Sequence, residues 1–186
     1  MDLEKQVDAY LEVLINAFAN HDSFKLRKLS NELIEKAVLE DAKQFVDLAL
    51  VSYALSKLVR KQHFLENPKW DEFEKSLLYK LRTEVKKPTT AQLMPEILSE
   101  LMNEIKKFDE EAGNYVDDVI KQARVKQGSR IYALGFSLAK AAEFTGVSKA
   151  ELAEYVGITK IHERPFTQSM ALKDRYNLAK KVLEKL

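Results

Sequence analysis

Apolar positions recur at helical spacing along nearly the whole chain, and no stretch alternates with the two-residue period of a strand. Val7, Tyr10, Leu11, Leu14, Ile15 and Phe18 predict an amphipathic helix from Leu3 to about Asn20, after which His21-Asp22-Ser23 supplies a turn and a cap. A second helix buries Leu26, Leu29, Leu33, Ile34 and Ala37 while keeping Lys25, Arg27, Lys28, Glu32, Glu35 and Lys36 in water, and the short connection makes it antiparallel to the first. From Asp41 onward the run Phe45 to Leu55 is apolar nearly all round, which predicts a helix in the middle of a bundle.

That pattern lapses at Arg60-Lys61-Gln62-His63, and Asn67-Pro68 marks a new start, with Pro68 suited to a first helical turn. Trp70, Phe73, Leu77, Leu78 and Leu81 line a fourth helix that ends by Lys87-Pro88. Thr89-Thr90 then caps a fifth, carrying Leu93, Ile97, Leu98, Leu101, Met102 and Ile105. A sixth is expected from about Asp109 to Leu134, with Asp109, Glu110 and Glu111 complementing the dipole at its start and Gly128 as a weak point. Short helices follow around Leu138 to Phe144 and Lys149 to Val156, and beyond Arg164-Pro165 a last one runs from about Ser169 to Leu186. The expected fold is all-α: a helical bundle over residues 1–108, for dimerisation or partner binding, followed by a smaller basic domain over residues 109–186.

Composition narrows the chemistry. No cysteine occurs among the 186 residues, which removes disulfides, thiolate metal sites and cysteine nucleophiles and favours a reducing, cytoplasmic setting. The first residues lack the basic-then-apolar pattern of a signal peptide, and no stretch reaches the roughly 20 apolar residues of a membrane span, so no membrane association is expected. His21, His63 and His162 stand far apart without carboxylate spacing, the serines have no nucleophile-elbow context, and there is no glycine-rich phosphate loop. Neither a catalytic residue, a metal site, a cofactor nor a small-molecule substrate is therefore expected.

Charge is unevenly distributed although the total is only +1. The first 87 residues balance fifteen cations with fifteen acids; residues 88–118 hold eight acids against two lysines; residues 119–186 hold thirteen Lys or Arg against six acids. A polyanion partner is therefore expected at the C-terminal part. Lys121, Arg124, Lys126 and Arg130 follow one another with no intervening acid, and Arg124, Lys126 and Arg130 are placed to reach phosphates with Gln122, Gln127 and Ser129 adding hydrogen bonds. Since 121, 124 and 128 share one helix face and 126 and 130 another, a merely solvated helix is the alternative reading.

The segment Leu138 to Val156 resembles the helix-turn-helix of DNA-binding proteins. A small residue stands where two helices would cross (Ala142), a turn residue tolerant of positive φ comes four positions later (Gly146), and Val147, Ser148 and Leu152 supply the apolar, capping and anchoring positions. The resemblance implies a double-stranded DNA partner and presents Ser148 and Lys149 at the groove, with Glu151 and Glu154 as unfavourable neighbours for phosphates. A frame shifted by one helix would instead present Lys160, His162 and Arg164. The run Gly146-Val147-Ser148-Lys149-Ala150-Glu151-Leu152 is also similar to a segment of uncharacterised archaeal helical proteins, which implies no activity. The paired N-terminal helices look like the helical nucleotide-associated domains of prokaryotic toxin and defence systems, whose ribonuclease members separate an Arg and a His by four to six residues; Arg60 and His63 have only two between them. The reading is a non-enzymatic DNA-binding, regulator-like protein. Its rival is a helical interaction module, acting as a homodimer or on another protein, and the exposure of Lys149, Glu151 and Tyr155 bears on the choice.

Overall fold

A computed structural model describes residues 3–86, 94–113 and 119–159. The helices are α1 (Leu3–Ala19), α2 (Ser23–Glu40), α3 (Lys43–Leu58), α4 (Gln62–Leu65), α5 (Trp70–Lys86), α6 (Met94–Glu111), α7 (Val119–Ala133), α8 (Leu138–Thr145) and α9 (Lys149–Thr159). No strand occurs among the described residues, so the fold is all-α. The last helix expected from Ser169, the Thr89-Thr90 cap, and Lys160, His162 and Arg164 lie outside the described residues. No helix among those described is long and apolar enough to cross a membrane.

The turn between α1 and α2 forms where the sequence placed it. Asp22 caps α2 by accepting a hydrogen bond from the Lys25 amide at 2.9 Å, and His21 takes a positive φ of 51° to turn the chain. Helix α3 is the middle of the molecule, packing on α1, α2, α6, α7 and α8. Nearly every residue from Phe45 to Val59 is buried, and its serines bond to carbonyls rather than to water. Ser52 donates to the Leu26 carbonyl of α2 at 2.7 Å, which lets α2 and α3 approach closely along their length.

A second cluster closes the other side. Phe18 of α1, Trp70 and Phe73 of α5 and Phe108 of α6 pack ring against ring, with Phe73 and Phe108 stacked at 4.3 Å between centroids. This cluster moves a boundary. The sequence placed a helix start at Asp109, yet the stripe Leu101, Ile105, Phe108, Ala112 continues one buried face, so α6 runs on to Glu111 and α7 begins only at Val119. Glu110 and Glu111 thus stand at a helix C-terminus, against the dipole, and are offset by Lys106, Lys107 and Lys69. The short helix α4 was not expected; burial of Phe64 beside Phe108 holds it in place.

Helix α7 contacts α2, α3 and α6 through one side and α8 and α9 through the other. Its apolar and small residues are accordingly spread around it rather than gathered in one stripe. Gly128 is no weak point but a crossing point: a Cβ there would stand 3.0 Å from Thr145 Oγ1 and 3.2 Å from Leu152 Cδ1. Gly157 in α9 is the contrasting case, since a Cβ there meets no described atom within 4 Å. Gly128→Val should lower stability by roughly 1–3 kcal/mol through overpacking. Gly157→Ala should raise it by up to about 1 kcal/mol through helix propensity. Urea unfolding midpoints of the two variants check both signs.

Candidate nucleic-acid interface

The corner between α8 and α9 is closed by local chemistry at each step. Ser137 caps α8 by accepting from the Lys140 amide, and Gly146 ends it in the left-handed region at φ 66°, its amide bonded to the Ala142 carbonyl at 2.9 Å. Ser148 caps α9: its hydroxyl accepts from the Glu151 amide at 3.2 Å and donates to the Glu151 carboxylate at 2.8 Å. Ala142 and Leu152 are buried and Val147 is half-buried against the core, so the five positions named from the sequence all serve the corner. Leu152 reaches Gly128, which seats the corner across α7.

The six expected nucleic-acid residues do not form one surface. Lys121, Arg124, Ser148 and Lys149 gather around the first turn of α9. Arg124 donates to the Gly146 carbonyl at 3.2 Å, Lys121 pairs with Glu151 at 2.8 Å, and Lys149 is exposed. Lys126 lies on another side, donating to the Tyr155 hydroxyl at 3.2 Å with its ammonium 5.7 Å from the ring centre. Arg130 turns away altogether, to pair with Glu35 of α2. Gln127 and Ser129, expected beside phosphates, are buried: Gln127 donates to Ser30 Oγ at 2.7 Å, and Ser129 donates to the Lys126 carbonyl. Helical spacing separates 121 and 124 from 126 and 130, but it could not show that Arg130 would turn to Glu35 or that Gln127 and Ser129 would be buried, because α7 is packed on two sides.

On α9, Lys149 and Glu154 are exposed while Glu151 and Tyr155 are half-buried, both held by α7. The remaining open positions of that helix are Ala150, Ala153, Gly157 and Ile158. Glu151 is not the simple repulsive group its sequence position suggested. The Lys121 ammonium and the Ser148 hydroxyl hold its carboxyl below the usual value near 4.5, and its charge is spent on them. The histidines stay apart: His21 bonds Glu74 at 2.9 Å beside Trp70, and His63 lies against Phe64. No group of His, Asp and Glu suited to a metal occurs among the described residues.

No protein family, curated protein or solved structure matches the chain.

Since the Glu151 carboxyl titrates lower in the fold than in the free chain, its pairing stabilises the fold above about pH 4.5 and is lost as pH falls through the depressed value. Glu151→Gln should therefore be the less stable protein at pH 7. The gap to wild type should shrink on acidification, as read from unfolding midpoints at stepped pH.

Proposed function

We propose that this protein binds double-stranded DNA through the α8–α9 corner, gripping phosphates around the first turn of α9, with the helices before it serving self-association or a protein partner. The observation that carries the reading is the convergence of Lys121, Arg124 and Lys149 on a capped helix N-terminus that faces solvent. Backbone amides and cations at such a terminus favour a phosphate. The open face of α9, with Ala150, Ala153 and Gly157, has few donors for base edges, so the expected mode is contact with the backbone and little sequence readout.

A salt titration of the full chain on duplex DNA tests this. The full chain is the right material because α7 shares buried contacts with α2 and α3, and a C-terminal fragment would expose them. Arg124→Ala and Lys149→Ala should each weaken binding similarly for all sequences and reduce the salt slope by about 1, while Lys121→Ala should weaken it by leaving the Glu151 carboxylate unpaired beside the phosphates. Glu151→Gln, which frees Lys121, should tighten it. Arg130→Ala should leave binding unchanged, because that side chain is spent on Glu35.

One observation favours a second reading, an interaction module working as a homodimer or on another protein. Ile158 is 75 % exposed beside the small residues of the same helix, a surface suited to another helix. Absence of duplex binding at low salt, with self-association abolished by Ile158→Glu, would establish that reading in place of the first.

A further inference from the structure

A cleft of about 710 Å³ opens between α2, α3, α7 and α9 and reaches the corner's first turn at Lys121. Its walls carry Arg27, Tyr53, Lys57, Lys121, Lys126 and Tyr155, each helix contributing to a set that no stretch of sequence brings together. Among the described residues, the four cations of these walls meet one carboxylate, Glu151 at the rim. Arg27 and Lys57 both lie against the Tyr53 ring, at 5.9 and 5.4 Å from its centre, and neither pairs with a carboxylate among the described residues. Lys126 has only the neutral Tyr155 hydroxyl and ring as partners there. Lys121, at the rim, is the member already bridged to an acid.

Folding has therefore brought like charges together over aromatic rings with no neutralising carboxylate on Arg27, Lys57 or Lys126 among the described residues. The Lys57 ammonium carries the mark: partial burial, and then the nearness of Arg27, Arg60, Lys61 and Lys126, lower its pKa from the ordinary 10.5. Such crowding disfavours the empty site, and an anion seated between the cations would relieve it. The volume falls within the roughly 300–1,000 Å³ of pockets that hold small molecules. A recess of this size between helices suits a compact anion.

We infer that this cleft is a binding site for a small ligand carrying two or more phosphate charges, held by Arg27, Lys57 and Lys126 with the two tyrosine hydroxyls available as hydrogen-bond partners. The site shares Lys121 at its rim with the DNA-binding reading and otherwise rests on residues outside it. Bidentate donation from Arg27 and point contacts from the lysines suit phosphate oxygens, and each added phosphate engages a further cation.

Calorimetric titration of the full chain with inorganic phosphate, pyrophosphate and tripolyphosphate at constant ionic strength tests the inference. Affinity should rise along that series, and the bound ligand should raise the melting temperature. Arg27→Gln and Lys57→Gln should each weaken pyrophosphate binding about tenfold, while Lys75→Gln, on the distant α5, should leave it unchanged. Lys57→Gln should melt no lower than wild type without ligand, since a repelled charge has been removed, which separates lost binding from lost folding. Equal affinity in all four proteins, or an equal loss in Lys75→Gln, would overturn the site. The same variants on duplex DNA separate the two readings. Polyphosphate binding without DNA binding sustains the cleft and refutes the duplex reading. DNA binding that the cleft variants weaken, with no polyphosphate binding, would make the cleft a nucleic-acid surface and overturn this inference.

Discussion

The structure depends on how α7 is seated. Gln127 is buried and donates to Ser30 of α2, whose hydroxyl in turn donates to the Ala49 carbonyl of α3 at 2.6 Å, so three helices are tied by one chain of hydrogen bonds inside an apolar core. Buried donors are costly unless satisfied, and this register of α7 satisfies the Gln127 amide N–H and the Ser30 hydroxyl, although Gln127 Oε1 has no partner among the described residues. One turn along, Arg130 reaches Glu35 of α2 and strengthens the same register at the edge of the core. With Gln127 turned inward, Gly128 necessarily faces α8 and α9, and the absence of a side chain there lets Leu152 and Thr145 close on the helix.

From that seating follows the division of α7's charge. A helix pinned on two sides leaves its long cations only the narrow edges, and each edge meets a different neighbour. Lys121 and Arg124 emerge beside the first turn of α9, Lys126 emerges toward Tyr155, and Arg130 stays with the bundle. A basic stretch that reads as continuous is thus three electrostatic environments. Among the described residues, the cations of α7 other than Arg130 gather in two places, around the first turn of α9 and in the cleft shared with α2 and α3.

The acids follow the same logic. Glu151 appeared poorly placed for a surface that meets phosphates, yet it closes the cap of α9 and holds Lys121 against it. Glu110 and Glu111, expected to suit a helix start, end α6 instead, because the stacking of Phe108 on Phe73 carries that helix onward. In both cases packing decided the position, and the charges found partners afterward, as the small worth of exposed ion pairs leads one to expect.

Local information in the sequence was enough for the all-α fold, for the turn at Asp22, for the central place of the helix around Phe45 to Leu55, and for the Ala142, Gly146, Ser148 and Leu152 corner. Each of these rests on near neighbours in the chain: an apolar period, a cap, or a left-handed turn. The end of α6, the burial of Gln127, the purpose of Gly128 and the cleft of Arg27, Lys57 and Lys126 were not legible. They are set by contacts between residues 30 and 127 or 73 and 108, and by the facing of 53 and 155 across one cleft, far apart along the chain, and no helical period records which side of a helix will meet two neighbours rather than one. Only the tertiary structure, by choosing what α7 packs against, decided which cations face solvent, which face each other, and which are spent inside the fold.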